Sequence, residues 1–208
     1  MLEWSLQHTY DWRAGLHTAG SLMMYEELSP GLPMTCPALL MRNTTDDPTW
    51  TSFIYHDHVS WFPGAGYVVE KLFREHYAER YLASAAGAVL DMPDRKRLLN
   101  QISTMKPDGW LPGSVDAIAT ASADGRRMVI KAVNYRGERN TLLVRLQGAG
   151  VPEKAGVTLH TVSAGLKDSA SLEHPDAIAP KSRQLNYAKD FSVDLEPYMV
   201  AVVEIRAE

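Results

Sequence analysis

The chain has 208 residues, 45% of them hydrophobic and 22% charged, with a formal net charge of −4, a globular composition that excludes the disordered classes. Its 21 Lys and Arg residues are scattered, which removes the electrostatic case for a nucleic-acid partner, and no run approaches the ~18 consecutive apolar residues of a membrane span. Cys36 stands alone and the first 20 residues lack the basic start and apolar run of a signal peptide, so a reducing, cytoplasmic location is expected.

The opening Met1-Leu2-Glu3-Trp4-Ser5 reads as the end of a buried strand running into a polar, aromatic loop with Gln7, His8, Tyr10, Asp11 and Trp12. Asp11 is placed to cap a helix over Arg13 to Leu28, where Leu16, Ala19, Leu22 and Met23 follow helical spacing and Ser29-Pro30-Gly31 stops it. That spacing predicts an amphipathic helix lying on a sheet. Pro37 to Met41 is a short apolar run between Pro33 and the polar stretch Arg42 to Pro48, as in a strand buried on both faces. A loop with Asn43 and Trp50 follows, then a second short strand over Thr51 to His56. Gly64-Ala65-Gly66 opens a helix expected to run through Leu82, with Val68, Val69, Leu72, Phe73, Tyr77 and Tyr81 on one side. The order β, α, β, α argues for a parallel α/β piece.

After an irregular connection from Ala83 to Pro112, short strands dominate. They are predicted over Val115 to Ala121, Arg127 to Asn134, Thr141 to Gln147, Val157 to Val162, Phe191 to Leu195 and Tyr198 to Arg206. Ala123-Asp124-Gly125 and Arg136-Gly137-Glu138-Arg139 have the spacing of turns in antiparallel hairpins. Alternation such as Leu142, Val144 and Leu146 against Leu143, Arg145 and Gln147 predicts strands with one face on a core and one polar face, a β-sandwich. The expected fold is therefore an α/β remnant of a (β/α)8 barrel over residues 1–84, holding its last two βα units, followed by an all-β antiparallel sandwich over 85–208. A complete barrel needs about 250 residues, so either the chain is part of a longer enzyme or the front half packs on something else.

Glu3 lies at what would be the C-terminal tip of a strand, where barrel enzymes project their catalytic side chains. Trp4, His8, Tyr10 and Trp12 are candidates to line a sugar pocket, since aromatic faces pack on sugar rings, and core packing is the equal alternative for each. His56-Asp57-His58 sets two imidazoles at i and i+2, but without a partner ligand pair a polar loop is the preferred reading. No Gly-x-Ser-x-Gly elbow or phosphate-cradling glycine loop occurs. Asn134, Tyr135 and Asn140 are read as turn formers.

Taken in order, these segments resemble the C-terminal part of the family 51 glycoside hydrolases, the α-L-arabinofuranosidases. Leu2-Glu3-Trp4-Ser5 matches the end of the family's seventh barrel strand. Pro37-Ala38-Leu39-Leu40-Met41, Asn43, Trp50, Phe53-Ile54-Tyr55 and Tyr67-Val68-Val69-Glu70-Lys71-Leu72-Phe73 follow its eighth unit, and Val129 to Asn134, Leu172 to Pro180 and Tyr198 to Ile205 its sandwich. The resemblance implies retaining hydrolysis of terminal arabinofuranosyl groups, with an arabinose-containing oligosaccharide or polysaccharide as partner, no cofactor, no metal, and a homo-oligomeric parent. It implies Glu3 as the nucleophile and Trp4, Asn43 and Trp50 as substrate-binding residues.

The family's acid/base is the Glu of an Asn-Glu pair on an earlier strand, and no Asn-Glu occurs in this chain. The isolated chain is therefore expected to be inactive, with a folded sandwich and an aggregation-prone front half. Two other readings stay open. One is a non-catalytic carbohydrate-binding or structural sandwich, although Val115 to Arg206 holds no Trp and only Tyr135, Tyr187, Phe191 and Tyr198 as aromatics. The other is a related retaining glycosidase such as a xylosidase.

Overall fold

The computed structural model describes residues 2–4, 10–28, 34–45, 51–82, 115–148 and 150–208. The expected helix stop at Ser29-Pro30-Gly31, the loop residues His8 and Trp50, and the connection from Ala83 to Pro112 lie outside them. Strand β1 (Leu2–Trp4), helix α1 (Trp12–Glu27) and strand β2 (Thr35–Pro37) form a β-α-β unit, with the two strands parallel and Glu3 opposite Cys36. Asp11 caps α1 as the sequence predicts: its backbone is extended and its Oδ1 accepts from the Arg13 amide at 3.1 Å.

A second small sheet follows, made of β3 (Met41–Asn43), β4 (Ile54–His56) and β5 (Trp61–Pro63). The strand expected over Pro37 to Met41 is not formed. Leu39 adopts φ 59°, which bends the apolar run out of one strand into β2 and β3, and Leu39, Leu40 and Met41 are exposed rather than buried on both faces. Helix α2 (Ala65–Glu75) starts at Gly64 but stops well short of Leu82. Arg80–Leu82 is instead a strand, β6, hydrogen-bonded antiparallel to β7 (Val115–Ala121), so Tyr81 belongs to the sheet.

The remaining strands are β8 (Arg127–Asn134), β9 (Asn140–Arg145), β10 (Ala155–Ser163), β11 (Lys181–Leu185), β12 (Asp190–Leu195) and β13 (Met199–Ala207). They build an antiparallel six-stranded sheet in the order β11-β10-β13-β8-β7-β6, faced by the pair β12-β9. Six of these strands fall where the alternation placed them. Gly125, at φ 72°, makes the β7–β8 turn, a backbone position that favours glycine. The second expected hairpin is not one. β9 pairs with β12 and not with β8, so Arg136 to Arg139 carries the chain across from one sheet to the other.

One face of the six-stranded sheet packs on β9 and β12 through Ile130, Ala132, Val157, Leu159, Val193, Leu195, Ala201, Val203 and Ile205. The opposite face, expected to be polar, is covered by α1 and α2, which pack on Ile118, Val129, Val133, Val200 and Val202. The layers run helices, large sheet, small sheet, and the central strand β13 is buried from Met199 to Ile205. For the same reason α1 is buried on every side from Trp12 to Ser21, lying between α2 and the sheet, where an amphipathic helix was expected. Gly15 permits this: a Cβ there would come within 2.5 Å of the Trp12 ring.

Charges bolt the helices to the sheet. Lys131, fully buried on β8, donates to Glu26 of α1 and lies 4.8 Å from the centre of the Phe73 ring. Burial pushes Lys131 down and Glu26 up from their ordinary pKa values, and their mutual attraction opposes both shifts. His76, just past α2, makes a 2.6 Å hydrogen bond through Nδ1 to the buried Glu204 of β13. Trp12 Nε1 donates to the Tyr198 carbonyl at 2.6 Å.

Candidate functional site

The site is built around the tip of β1. Parallel pairing to β2 fixes the backbone of Glu3 opposite Cys36, and the next turn is held because Ala38 N donates to the Trp4 carbonyl at 2.7 Å. The Trp4 indole is buried edge-on between Tyr25 of α1, 5.9 Å away, and Phe53, 5.7 Å away. It therefore anchors the strand tip between the helix and the second sheet. Trp12, a sequence candidate for lining a sugar pocket, is 0% exposed. Its indole N–H is spent on Tyr198, so it is a core residue and that expectation is corrected. Tyr10 remains exposed.

Beside the tip, the bent segment at Leu39 is clamped by Ser52, whose Oγ donates to the Leu39 carbonyl at 2.8 Å. Ser52 N in turn donates to Tyr55 Oη at 2.8 Å. Tyr55 stacks on Phe62 with ring centres 5.0 Å apart, and burial, its largest influence, pushes its pKa up to about 12. The buried Asp11 and Arg13 side chains close this corner, Arg13 Nε donating to the carboxylate at 2.8 Å and 3.1 Å.

Asn43 ends β3. Its Oδ1 accepts from Thr45 N at 2.9 Å and from Thr45 Oγ1 at 2.8 Å, which leaves its Nδ2 donor turned to other use. Asp57 between the two histidines is a turn former, its Oδ1 accepting from Val59 N at 2.7 Å and Ser60 N at 2.6 Å. Among the described residues no three His, Cys, Asp or Glu side chains gather to hold a metal ion, and no helix is long and apolar enough to cross a membrane. Sequence reasoning gave Trp61 no role. The β4–β5 turn that presents it has neither glycine nor proline, and it is Asp57's side chain that makes the reversal.

No family model and no curated protein matches the sequence. Solved structures do. The thermostable family 51 α-L-arabinofuranosidase of Thermotoga petrophila superposes with a TM-score of 0.73 at 18% identity, over 96% of this chain and 39% of its own. The α-L-arabinofuranosidase of Thermotoga maritima, solved as its arabinose complex, gives 0.73 at 18% identity, over 97% of this chain and 39% of its own. The chain has the fold of the C-terminal part of a family 51 α-L-arabinofuranosidase. The likeness falls to a TM-score of 0.52, at 14% identity, for the catalytic domain of the family 30 xylanase C of Talaromyces cellulolyticus, which this chain matches over 99% of its own length and 40% of the xylanase's. Within the arabinofuranosidase fold the chain thus spans about two fifths of the length of the Thermotoga enzymes. That share contains the β1 tip with Glu3, the second sheet with Asn43, and the three layers that hold them in place.

Proposed function

We propose that this chain is the C-terminal part of a retaining α-L-arabinofuranosidase, with Glu3 as its nucleophile. The observation that carries the reading is the position of Glu3: it is the middle residue of a short parallel strand that ends at Trp4, in a chain whose fold follows that of the Thermotoga arabinofuranosidases over nearly its whole length. The Glu3 carboxylate attacks the anomeric carbon as the glycosidic bond breaks, and a second carboxyl group about 5 to 5.5 Å away protonates the departing oxygen. Water then releases the sugar by the reverse proton transfer. The second group comes from an earlier barrel strand, since no Asn-Glu pair occurs in these 208 residues. Exposed Leu28, Met34, Leu39 and Leu40 give the rest of the barrel an apolar wall to cover. Asn43 and Trp50 contact the sugar in this reading, and Trp4 backs the strand tip from beneath.

Arabinofuranosyl substrates are proposed over xylosyl ones on the order of the sequence motifs that resemble the arabinofuranosidases. The test uses the full-length protein, obtained by reading the frame upstream of the Met1 codon. Glu3→Gln is expected to lower kcat/KM on an aryl α-L-arabinofuranoside at least about 10³-fold. Azide is expected to restore turnover to Glu3→Ala, giving the glycosyl azide of inverted configuration. A Glu3→Gln enzyme working at near the native rate ends the assignment.

A further inference from the structure

Beside Asn43, the second sheet carries two side chains, His56 and Trp61, to which the proposed reaction gives no role. In its register Asn43 lies opposite His56, and His56 opposite Trp61. Register partners project from the same face, so the three stand side by side across it. The alternate row, Arg42, Tyr55 and Phe62, projects from the other face, and the Tyr55–Phe62 stack at 5.0 Å confirms that alternation. Tyr55 is buried, whereas Trp61 is 58% exposed and its face-mate Met41 60% exposed.

The polar groups beside Trp61 are set in a defined sense. His56 Nδ1 lies 2.9 Å from the Asp57 carbonyl oxygen, which only accepts, so Nδ1 donates to it and Nε2 is left for another partner. Asn43 has its carbonyl oxygen occupied by Thr45 and offers the Nδ2 donor. An exposed indole face flanked by an imidazole nitrogen and an amide donor matches a sugar ring, whose apolar C–H face packs on an aromatic while neighbouring hydroxyls donate and accept.

We infer that Asn43, His56 and Trp61 form an additional carbohydrate subsite, which takes a sugar unit of the polysaccharide chain with its ring packed on Trp61 and its hydroxyls on His56 and Asn43. The geometry stands by itself, and only the sugar class rests on the proposed function. Affinity gel electrophoresis of the full-length protein through soluble arabinan or arabinoxylan tests it. Trp61→Ala is expected to weaken retention roughly 3- to 10-fold, Trp61→Phe to keep most of it, and Val59→Ala, a 93% exposed change on the same hairpin outside the row, to change nothing. Retention of Trp61→Ala and Trp61→Phe equal to that of the native protein overturns the subsite. Because this readout needs no turnover, loss of retention in Trp61→Ala together with a fully active Glu3→Gln would uphold the subsite and reject the nucleophile. A native Trp61 dependence on both glycans with no arabinofuranosidase activity would likewise uphold the subsite and reject only the catalytic reading.

Discussion

His17 shows how one buried side chain ties this fold to pH. It lies inside α1 with Nδ1 3.3 Å from Ser21 Oγ, and burial lowers its pKa from 6.5 to about 4. A histidine held neutral in the native state binds fewer protons than its unfolded counterpart between those two values, so stability falls as pH drops from 6.5 to 4. The full shift corresponds to about 3 kcal/mol. His160 acts in the same direction, lowered first by burial and then by the neighbouring His76. Glu204 adds a further acid-side loss: burial pushes its carboxyl up, but hydrogen bonds from His76 and Arg206 outweigh this and hold it below its ordinary value. Urea unfolding at pH 7, 6 and 5 is expected to show progressive destabilisation, and His17→Leu is expected to flatten most of that slope. An unchanged slope in the variant would place the proton uptake elsewhere. The sequence carries no signal that singles out His17. Its burial follows from α1 lying between two layers, which helical spacing alone does not reveal.

At the scale of elements, the crossover from β8 to β9 depends on one amide. Asn134 Nδ2 donates to the carbonyls of Glu138 at 2.9 Å, Leu195 at 3.2 Å and Glu196 at 2.9 Å, and its Oδ1 accepts from Arg136 N at 3.0 Å. The side chain thereby joins the start of the crossover to the β12–β13 connection. Replacement by leucine keeps the volume but strands these buried groups, and each orphaned group costs about 1–3 kcal/mol. Asn134→Leu is expected to destabilise the protein by about 3 kcal/mol or more in urea unfolding; a loss under about 1 kcal/mol would mean that the crossover is held by other contacts. Asn134 and Asn140 were read from sequence as turn formers, and turn formation is part of the observation. The partner strand was not legible, since the alternation of Leu142, Val144 and Leu146 says that a face is buried without saying against which strand. The same ambiguity merged β2 and β3 into one run and carried α2 on into β6.

For the whole molecule the decisive fact is that the large sheet is covered on both sides. Ile118, Val129, Val133, Tyr135, Val162, Val200 and Val202 belong to the core that includes α1 and α2. Burying a large aliphatic side chain is worth about 1.5–3 kcal/mol, so the helices supply stabilisation on the order of 10 kcal/mol, comparable with the whole stability of a domain. A sandwich cut out as Val115–Glu208 would expose that face along with Lys131, and it would also lose β6. It is expected to bind a hydrophobic dye and to aggregate, where the chain with both helices unfolds in one cooperative step. A soluble, cooperatively folding Val115–Glu208 piece would instead restore the reading of the sandwich as an independent binding module.

What the sequence determined by itself is local: the Asp11 cap, the start of α2 at Gly64, the β7–β8 turn at Gly125, and the positions of six strands. These depend on φ preference, capping hydrogen bonds and side-chain alternation within a few residues, so they are written where they act. The order of short motifs also marked Glu3, which is the middle residue of the parallel strand β1. Only the tertiary structure decided that β9 joins β12, that α1 is buried all round, that Trp12 belongs to the core, and that Asn43, His56 and Trp61 share one face. Each of those depends on which surfaces meet across long stretches of chain, and apolar burial favours any well-packed partner, so the choice among partners is made by the packing of the whole.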